Sequence, residues 1–412
     1  MARYFGSRTM SALIGAAGFA LVAAAPAPQA ALPTDGSPEA MALAALFEAE
    51  TITTDAFADP SFVGPVASAV AALEAALGMP IGIERGEAGL VTVFPEARVP
   101  TQIALDAQGR IAGLLFGPPQ PLEVGTVEES VAAFADLPGR VSVLVERNGE
   151  AVAAIDPEAA LAVGSAFKLA ALAVAREDFA SGTRAPEDVV ALRAEAMSLP
   201  SGILQDWPAG TPVTLQTLLD LMISISDNTA TDNLIATLGA DRVAEALGIE
   251  GPLLATGDLF RLKAPDNTAL LERWRTGDAA ERERVLGEAR EQPLPDIAMF
   301  ATSTPIAIDV EWLVPATTLC DLLEATHGDP AFAINPGVAD PDDFASIAFK
   351  GGSEPGVLNL STRVETADGT AWCVVATWND ETAALDELAL AQRYSGVLAA
   401  ITAEIDAGAT AE

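Results

Sequence analysis

The sequence predicts a two-domain chain of mixed class, a small α+β unit followed by a larger unit that combines strands and helices. Three observations carry this. At 412 residues the chain exceeds what one hydrophobic core usually serves. Half of its residues are apolar, enough for two sizeable cores. The run Gly117-Pro118-Pro119-Gln120-Pro121 continues neither a helix nor a strand and reads as a linker. Domains are therefore expected at 32–121 and 122–412, behind a secretory signal over 1–31.

The signal is read from Arg3 and Arg8 ahead of an apolar stretch at 11–25, too short to span a membrane, with small residues continuing to about Ala31. No cysteine near the cleavage region could carry a lipid, so no stable membrane insertion is expected after cleavage. The segment holds two arginines and no acid, so its removal takes the formal charge from −36 to −38. Such a charge repels nucleic acid and anionic membranes, and excludes both as partners. The address is periplasmic or secreted.

In the first unit, Ala/Leu-rich stretches at 38–50 and 61–77 predict two helices. Short apolar runs at 81–84, 90–94, 101–105 and 111–116, punctuated by Gly and Pro, predict four strands. This unit contains no S-x-x-K, His or Cys, hence no evident nucleophile or metal site. In the second unit, strands at 140–145 and 151–155 flank the turn Arg147-Asn148-Gly149-Glu150. Gly164 precedes a breaker-poor stretch at 166–179, which sets Ser165 at or near a helix N-terminus, where backbone N–H groups favour developing negative charge.

Lysine usage points to the chemistry. Nineteen of 22 basic side chains are Arg, and the three lysines are Lys168, Lys263 and Lys350. Arg stays protonated at any useful pH, whereas a lysine that is desolvated or crowded by another cation loses its proton and becomes a base. Lys168 closes Ser165-Ala166-Phe167-Lys168, where one helical turn brings its amine to the face of the Ser165 hydroxyl. Ser226-Asp227-Asn228 follows between helices expected at 215–225 and 230–238, in a position that also suits an N-cap. Lys350-Gly351-Gly352-Ser353 ends a strand expected at 346–349 and reads as a strand entering a Gly turn.

In this order the motifs resemble the S-x-x-K, S-D-N and K-T-G set of class A β-lactamases and penicillin-binding proteins. The likeness runs over roughly 125–405, through Ser201-Gly202-Ile203-Leu204-Gln205 and Asn228-Thr229-Ala230-Thr231-Asp232. With its N-terminal unit, the chain looks most like secreted serine hydrolases related to the β-lactamase-like protein of clavulanic-acid gene clusters, where an NTF2-like domain comes first. The resemblance implies an antiparallel sheet flanked by helices, plus an all-helical subdomain. It makes Ser165 the acylated nucleophile, Lys168 its base, Ser226 a proton relay and Lys350 the group that holds that hydroxyl and attracts an anionic substrate. Asn228, Gly352 and Ser353 would contact substrate, with Asn228 also orienting Lys168, and the N–H groups of Ser165 and Ser353 would form the oxyanion hole.

Two departures stand out. No E-x-x-L-N glutamate occurs in the corresponding stretch 256–264, which leaves Asp258 or Lys168 itself as deacylation base. Gly351 replaces the hydroxyl residue of K-T-G, for which Ser353 and Arg363 are the available substitutes, although Arg363 also reads as a solvated strand charge. The implied activity is acyl transfer to Ser165 and hydrolysis of a small ester, amide or β-lactam, by a hydrolase or a slow β-lactamase or penicillin-binding protein. From a different class, the alternative is a non-catalytic envelope protein that holds a ligand.

The single histidine, His327, reads as a helix-terminal charge, and without a Cys cluster neither a metal nor a cofactor is called for. Cys320 and Cys373 either pair or remain two buried thiols. Trp312 belongs to the cleft or the core. Asp340-Pro341-Asp342-Asp343 lacks EF-hand spacing and reads as a solvated loop. No pattern fixes the oligomeric state.

Overall fold

The computed structural model describes residues 31–86, 89–300 and 302–409, so the expected secretory signal lies outside the described residues apart from its last position. The N-terminal region starts with α1 (Pro38–Glu48), capped by Ser37 with Pro38 in the first turn, where its missing N–H costs nothing. Helix α2 (Val63–Leu77) stops at Gly78, whose φ of 80° ends the helix. Strands β1 (Gly82–Arg85), β2 (Leu90–Val93), β3 (Ala97–Leu105) and β4 (Ile111–Phe116) form an antiparallel sheet in that order. Leu43, Phe47, Val70, Leu73, Phe94 and Val99 pack between helices and sheet as this region's core.

Two expectations need correction here. Strand β3 begins four residues before the predicted 101–105, because Pro100 falls between the stretches paired to β5 (Gln120–Pro121) and to β4, where no ladder donor is needed. The expected linker is also partly strand: Gln120 and Pro121 add to β3 opposite Arg98 and Ala97. Among the described residues, Pro60–Leu77 is long and apolar enough to cross a membrane by length and composition. Its Val66, Val70 and Leu73 are buried in the N-terminal core.

The second region opens with α3 (Val127–Ala132), held by a Thr126/Glu129 capping box. Next come β6 (Arg140–Arg147) and β7 (Glu150–Ile155), joined as predicted through Asn148 and Gly149, both at positive φ. After β8 (Leu161–Ala162) comes α4 (Lys168–Ser181), then β9 (Val189–Ala191), β10 (Pro212–Thr214), α5 (Leu215–Ser224), α6 (Asn228–Leu238), α7 (Ala240–Leu247), α8 (Thr256–Lys263), α9 (Thr268–Thr276) and α10 (Ala279–Arg290). The chain returns through β11 (Leu313–Val314), α11 (Ala316–Thr326), β12 (Ser346–Glu354), β13 (Val357–Glu365), β14 (Ala371–Asn379) and α12 (Glu387–Ala409).

The main sheet is antiparallel, in the order β12-β13-β14-β6-β7, and helices cover both faces. Val143, Val145, Val374 and Ala376 alternate onto the face under α3 and α12. Leu144, Val375 and Ala348 point the other way, into the core shared with α4, α5, α6 and α11. A disulfide between Cys320 of α11 and Cys373 of β14 fastens that helix to the sheet, which decides between the two states left open above. The helices from α5 to α10 pack around Leu218, Leu234, Leu262 and Leu286 as the helical part of the same core.

Candidate active site

Ser165 sits in a short 3₁₀ turn, Gly164–Phe167, between β8 and the first residue of α4. Val163, Ala166 and Phe167 are buried, and Phe167 stacks on Trp312 with ring centroids 3.7 Å apart, so the turn is anchored in the core and presents the serine at its surface. Gly164 has φ +49°, and a β-carbon there would stand 3.1 Å from Ser353 N. Trp312 is therefore both core and cavity wall, its indole N–H donating to Leu254 O at 3.0 Å.

Lys168 is fully buried at the start of α4. Its Nζ lies 2.6 Å from Ser226 O, 2.7 Å from Asn228 Oδ1 and 3.0 Å from Ser226 Oγ. Ser226 O and Asn228 Oδ1 can only accept, so they take two N–H bonds. The amine's third direction meets a hydroxyl that can itself donate. This set satisfies a neutral amine. Burial, and then the charge of Lys350, hold the Lys168 pKa well below the usual lysine range. Among the described residues Ser165 Oγ has no hydrogen bond to Lys168, so the amine reaches Ser226 and Asn228 in the resting geometry.

Ser226 lies between α5 and α6 with φ +58°, a left-handed conformation that costs a non-glycine residue about 1–3 kcal/mol and persists only when its surroundings impose it. They do: Ser201 Oγ and Lys168 Nζ both donate to its carbonyl. Asp227 caps α6, accepting from Ala230 N at 2.8 Å, and its second oxygen takes the N–H groups of Ile203 and Leu204. Gly202, at φ +107°, lies so close that any side chain would collide with the Asp227 carboxylate. Asn228 spends its Oδ1 on Lys168, while its Nδ2 donates to Leu199 O at 3.1 Å.

The expected Gly turn after Lys350 is instead strand. β12 runs on to Glu354, with Lys350, Gly351, Gly352 and Ser353 opposite Ser361, Leu360, Asn359 and Leu358. The glycines serve close approach: a β-carbon on Gly352 would stand 2.5 Å from Ser165 N and 2.9 Å from Ala166 N. This contact brings the backbones of Ser165 and Ser353 together. Lys350 Nζ lies 3.2 Å from Ser226 Oγ and 2.5 Å from Gly351 O, and burial lowers its pKa to about 7.

These residues border one cavity of about 1040 Å³. Ser165, Ser226, Asn228, Lys350, Gly352 and Ser353 all line it, whereas Lys168 lies beneath. Part of its wall comes from the N-terminal region, through Ala69, Ala72 and Leu73 of α2 and Phe116 of β4. Arg363 is not in the lining. Two residues along β13 from the partner of Lys350, it pairs with Glu324 of α11 at 2.6 Å and so cannot stand in for the missing hydroxyl. Asp258 is likewise engaged, as both its oxygens accept from Arg290. It is buried behind the lining, which removes it as a deacylation base.

A cluster not read from the sequence does border the cavity. Lys263 Nζ lies 2.7 Å from Glu311 Oε1 and 2.5 Å from Glu354 Oε1, and both carboxylates belong to the lining. The one available sequence signal was Lys263 itself, the lysine left outside the motifs. His327 closes α11 as expected, its ring nitrogen 2.7 Å from Glu324 O. No group of three metal-binding side chains occurs among the described residues.

Residues 126–279 match the family model described as "Beta-lactamase enzyme family". That segment is of the β-lactamase-like serine hydrolase type. Similar solved structures include a β-lactamase from Sphaerobacter thermophilus (25% identity, 68% of this chain and 96% of that one, TM-score 0.42) and a class A β-lactamase from Bacteroides cellulosilyticus (19%, 68% and 99%, 0.43). A third, titled PBP-A, shares 15% identity over 68% of this chain and 99% of its own, with a TM-score of 0.43. None of the curated proteins matches the chain. Within the β-lactamase-like domain, the matched segment ends before β12, so the Lys350 segment is joined to the site by geometry alone.

Proposed function

We propose that the protein is an exported serine hydrolase that forms an acyl-enzyme on Ser165, with Lys168 as base, from esters, amides or β-lactams. The observation that carries this is the wholly buried Lys168 amine among neutral oxygens, one of them the hydroxyl that also meets Lys350. Ser165 Oγ passes its proton to Lys168 Nζ as it bonds to the carbonyl carbon. The oxyanion takes the N–H groups of Ser165 and Ser353, an arrangement in which each donor contributes about 2.7–4 kcal/mol. Collapse expels the leaving group, which receives a proton relayed by Ser226. Water then hydrolyses the ester. Export is supported by the N-terminal sequence and by the Cys320–Cys373 disulfide. The region before residue 122, read as an NTF2-like domain, covers one side of the cavity with α2.

Intact-mass analysis after exposure to a penicillin or an activated ester tests the reading. A rapid adduct on Ser165 is expected, and its absence with every acyl donor would favour the ligand-holding alternative. With no E-x-x-L-N glutamate and with Asp258 bound to Arg290, β-lactam adducts should clear slowly and small ester adducts faster. Efficient multiple-turnover penicillin hydrolysis would overturn that ranking.

A further inference from the structure

The charge on the cavity wall runs against an anionic substrate. Four carboxylates line the cavity, those of Glu311, Glu354, Asp386 and Glu387, against the single cation Lys350. Glu311 is the most telling. Its side chain is 1% exposed, its Oε1 meets Lys263, and its buried Oε2 has no donor other than the proton held by Glu354. An ionised oxygen left so is costly, and a ligand donor would relieve it. Lys263 must answer Glu354 as well, so one cation faces two carboxylates. Burial, and then repulsion by Glu311, push Glu354 up to about 8: for want of a second cation it keeps its proton, and a cationic ligand group would take that proton's place. The elements that hold a β-lactam carboxylate in the resembled family are weakened in parallel. Gly351 offers no hydroxyl, and Arg363 is bound to Glu324. Phe260, on the same helix as Lys263 and packed 5.1 Å from Phe300, adds aromatic surface of the kind that accepts alkylammonium groups.

We propose that the cavity recognises a positively charged group on its acyl substrate, an ammonium or quaternary ammonium, held by Glu311 and Glu354 while the scissile carbonyl lies at Ser165. This rests on the serine-hydrolase reading and deepens it. Glu354 directly follows Ser353, so the cation site adjoins the oxyanion donors.

The test uses the full-length protein and three nitrophenyl esters of equal chain length whose acyl groups end in trimethylammonium, methyl or carboxylate. The ammonium ester should exceed the carboxylate ester in kcat/KM by about tenfold or more at low salt, with the ratio shrinking as ionic strength rises. Equal rates, or preference for the carboxylate, would overturn the proposal. Replacing the whole triad (K263Q, E311Q and E354Q together) should bring the ratio within about twofold, as expected when the local field is removed. A triple variant that keeps the full preference would show that these residues are not the recognition pole. Should it not fold, E354Q alone, whose side chain is 22% exposed, should still lower the ratio, and an unchanged ratio would sink the idea. The methyl ester separates the two levels of inference. If it labels Ser165 but charge has no effect, only the cation site fails, whereas no labelling by any ester removes the hydrolase reading and the cation site with it.

Discussion

Lys168 and Lys263 are equally sealed from water, yet their surroundings drive them in opposite directions. Lys168 has neutral oxygens for partners and a second lysine nearby, and its pKa falls well below the usual range, with desolvation the leading cause. Lys263 suffers the same desolvation, but two carboxylates reverse its effect and hold the amine cationic. Burial alone therefore does not make a lysine a base. The charge of its neighbours decides, and one chain contains both outcomes within one site region.

The largest effect should come from testing this contrast on activity. Lys168→Arg places a permanent cation where the proposed mechanism uses a neutral amine, and acylation of Ser165, followed by single-turnover mass spectrometry, should drop by about 10²–10⁴, the usual contribution of a general base. An Arg variant that acylates at the parental rate would refute the role given to Lys168. The complementary test is on stability. Lys263→Met leaves Glu311 buried without its cation, and denaturant unfolding should show a loss of about 3–5 kcal/mol. Adding Glu311→Gln and Glu354→Gln to the same chain should restore most of it. If Lys263→Met alone costs nothing, the triad is not the ionic cluster described.

A third test uses pH. The folded pKa of Lys350, about 7, is below its ordinary 10.5, so between those values the unfolded chain binds the extra proton, and this residue should make stability rise with pH across that window. Glu354 does the opposite. Faced by Lys263 from α8 and by Glu311, it holds a proton to about pH 8 instead of 4.5, so its contribution should make stability fall between 4.5 and 8. Each slope is at most one proton's worth, about 1.4 kcal/mol per pH unit. Lys350→Met should remove this residue's share of the rise, leaving that of Lys168, and Glu354→Gln should remove its own share of the fall. Lys350→Met should also move the acid limb of acylation to higher pH, because Lys168 then regains affinity for its proton. An unmoved limb would leave the pairing of the two lysines without support.

What the sequence made legible follows the same division. Lysine usage and the resemblance of the S-x-x-K and S-D-N motifs singled out Ser165, Lys168, Ser226 and Asn228, and local rules of capping and periodicity set them on or beside helix starts, where they lie. The Gly351-Gly352 pair misled, because glycine signals a turn locally, whereas here it serves contact with the Ser165 turn, a tertiary demand. The Lys263 triad joins residues 48 and 91 positions apart, with no motif to connect them. Arg363 was legible as a strand residue, but its partner on α11 was not. The disulfide likewise depended on the packing of α11 against β14, which spacing does not encode.

The smallest expected effect concerns the boundary between the two regions, where sequence offered only a domain without chemistry. Ala69 and Ala72 of α2 reach the cavity as small side chains, so they define room. Ala72→Phe should fill part of that room without touching Ser165, Lys168 or Ser226. KM for esters with long acyl groups should then rise by about tenfold, the scale of a few displaced methylenes, while acetyl esters change little. Both lysine environments should be undisturbed, so the acid limb of acylation ought to stay where it is. If long and short esters lose equally, α2 supports the fold of its neighbour and does not shape the substrate space. If the acid limb moves, the N-terminal wall is part of what keeps Lys168 dry, and the contrast between the two lysines extends across both domains.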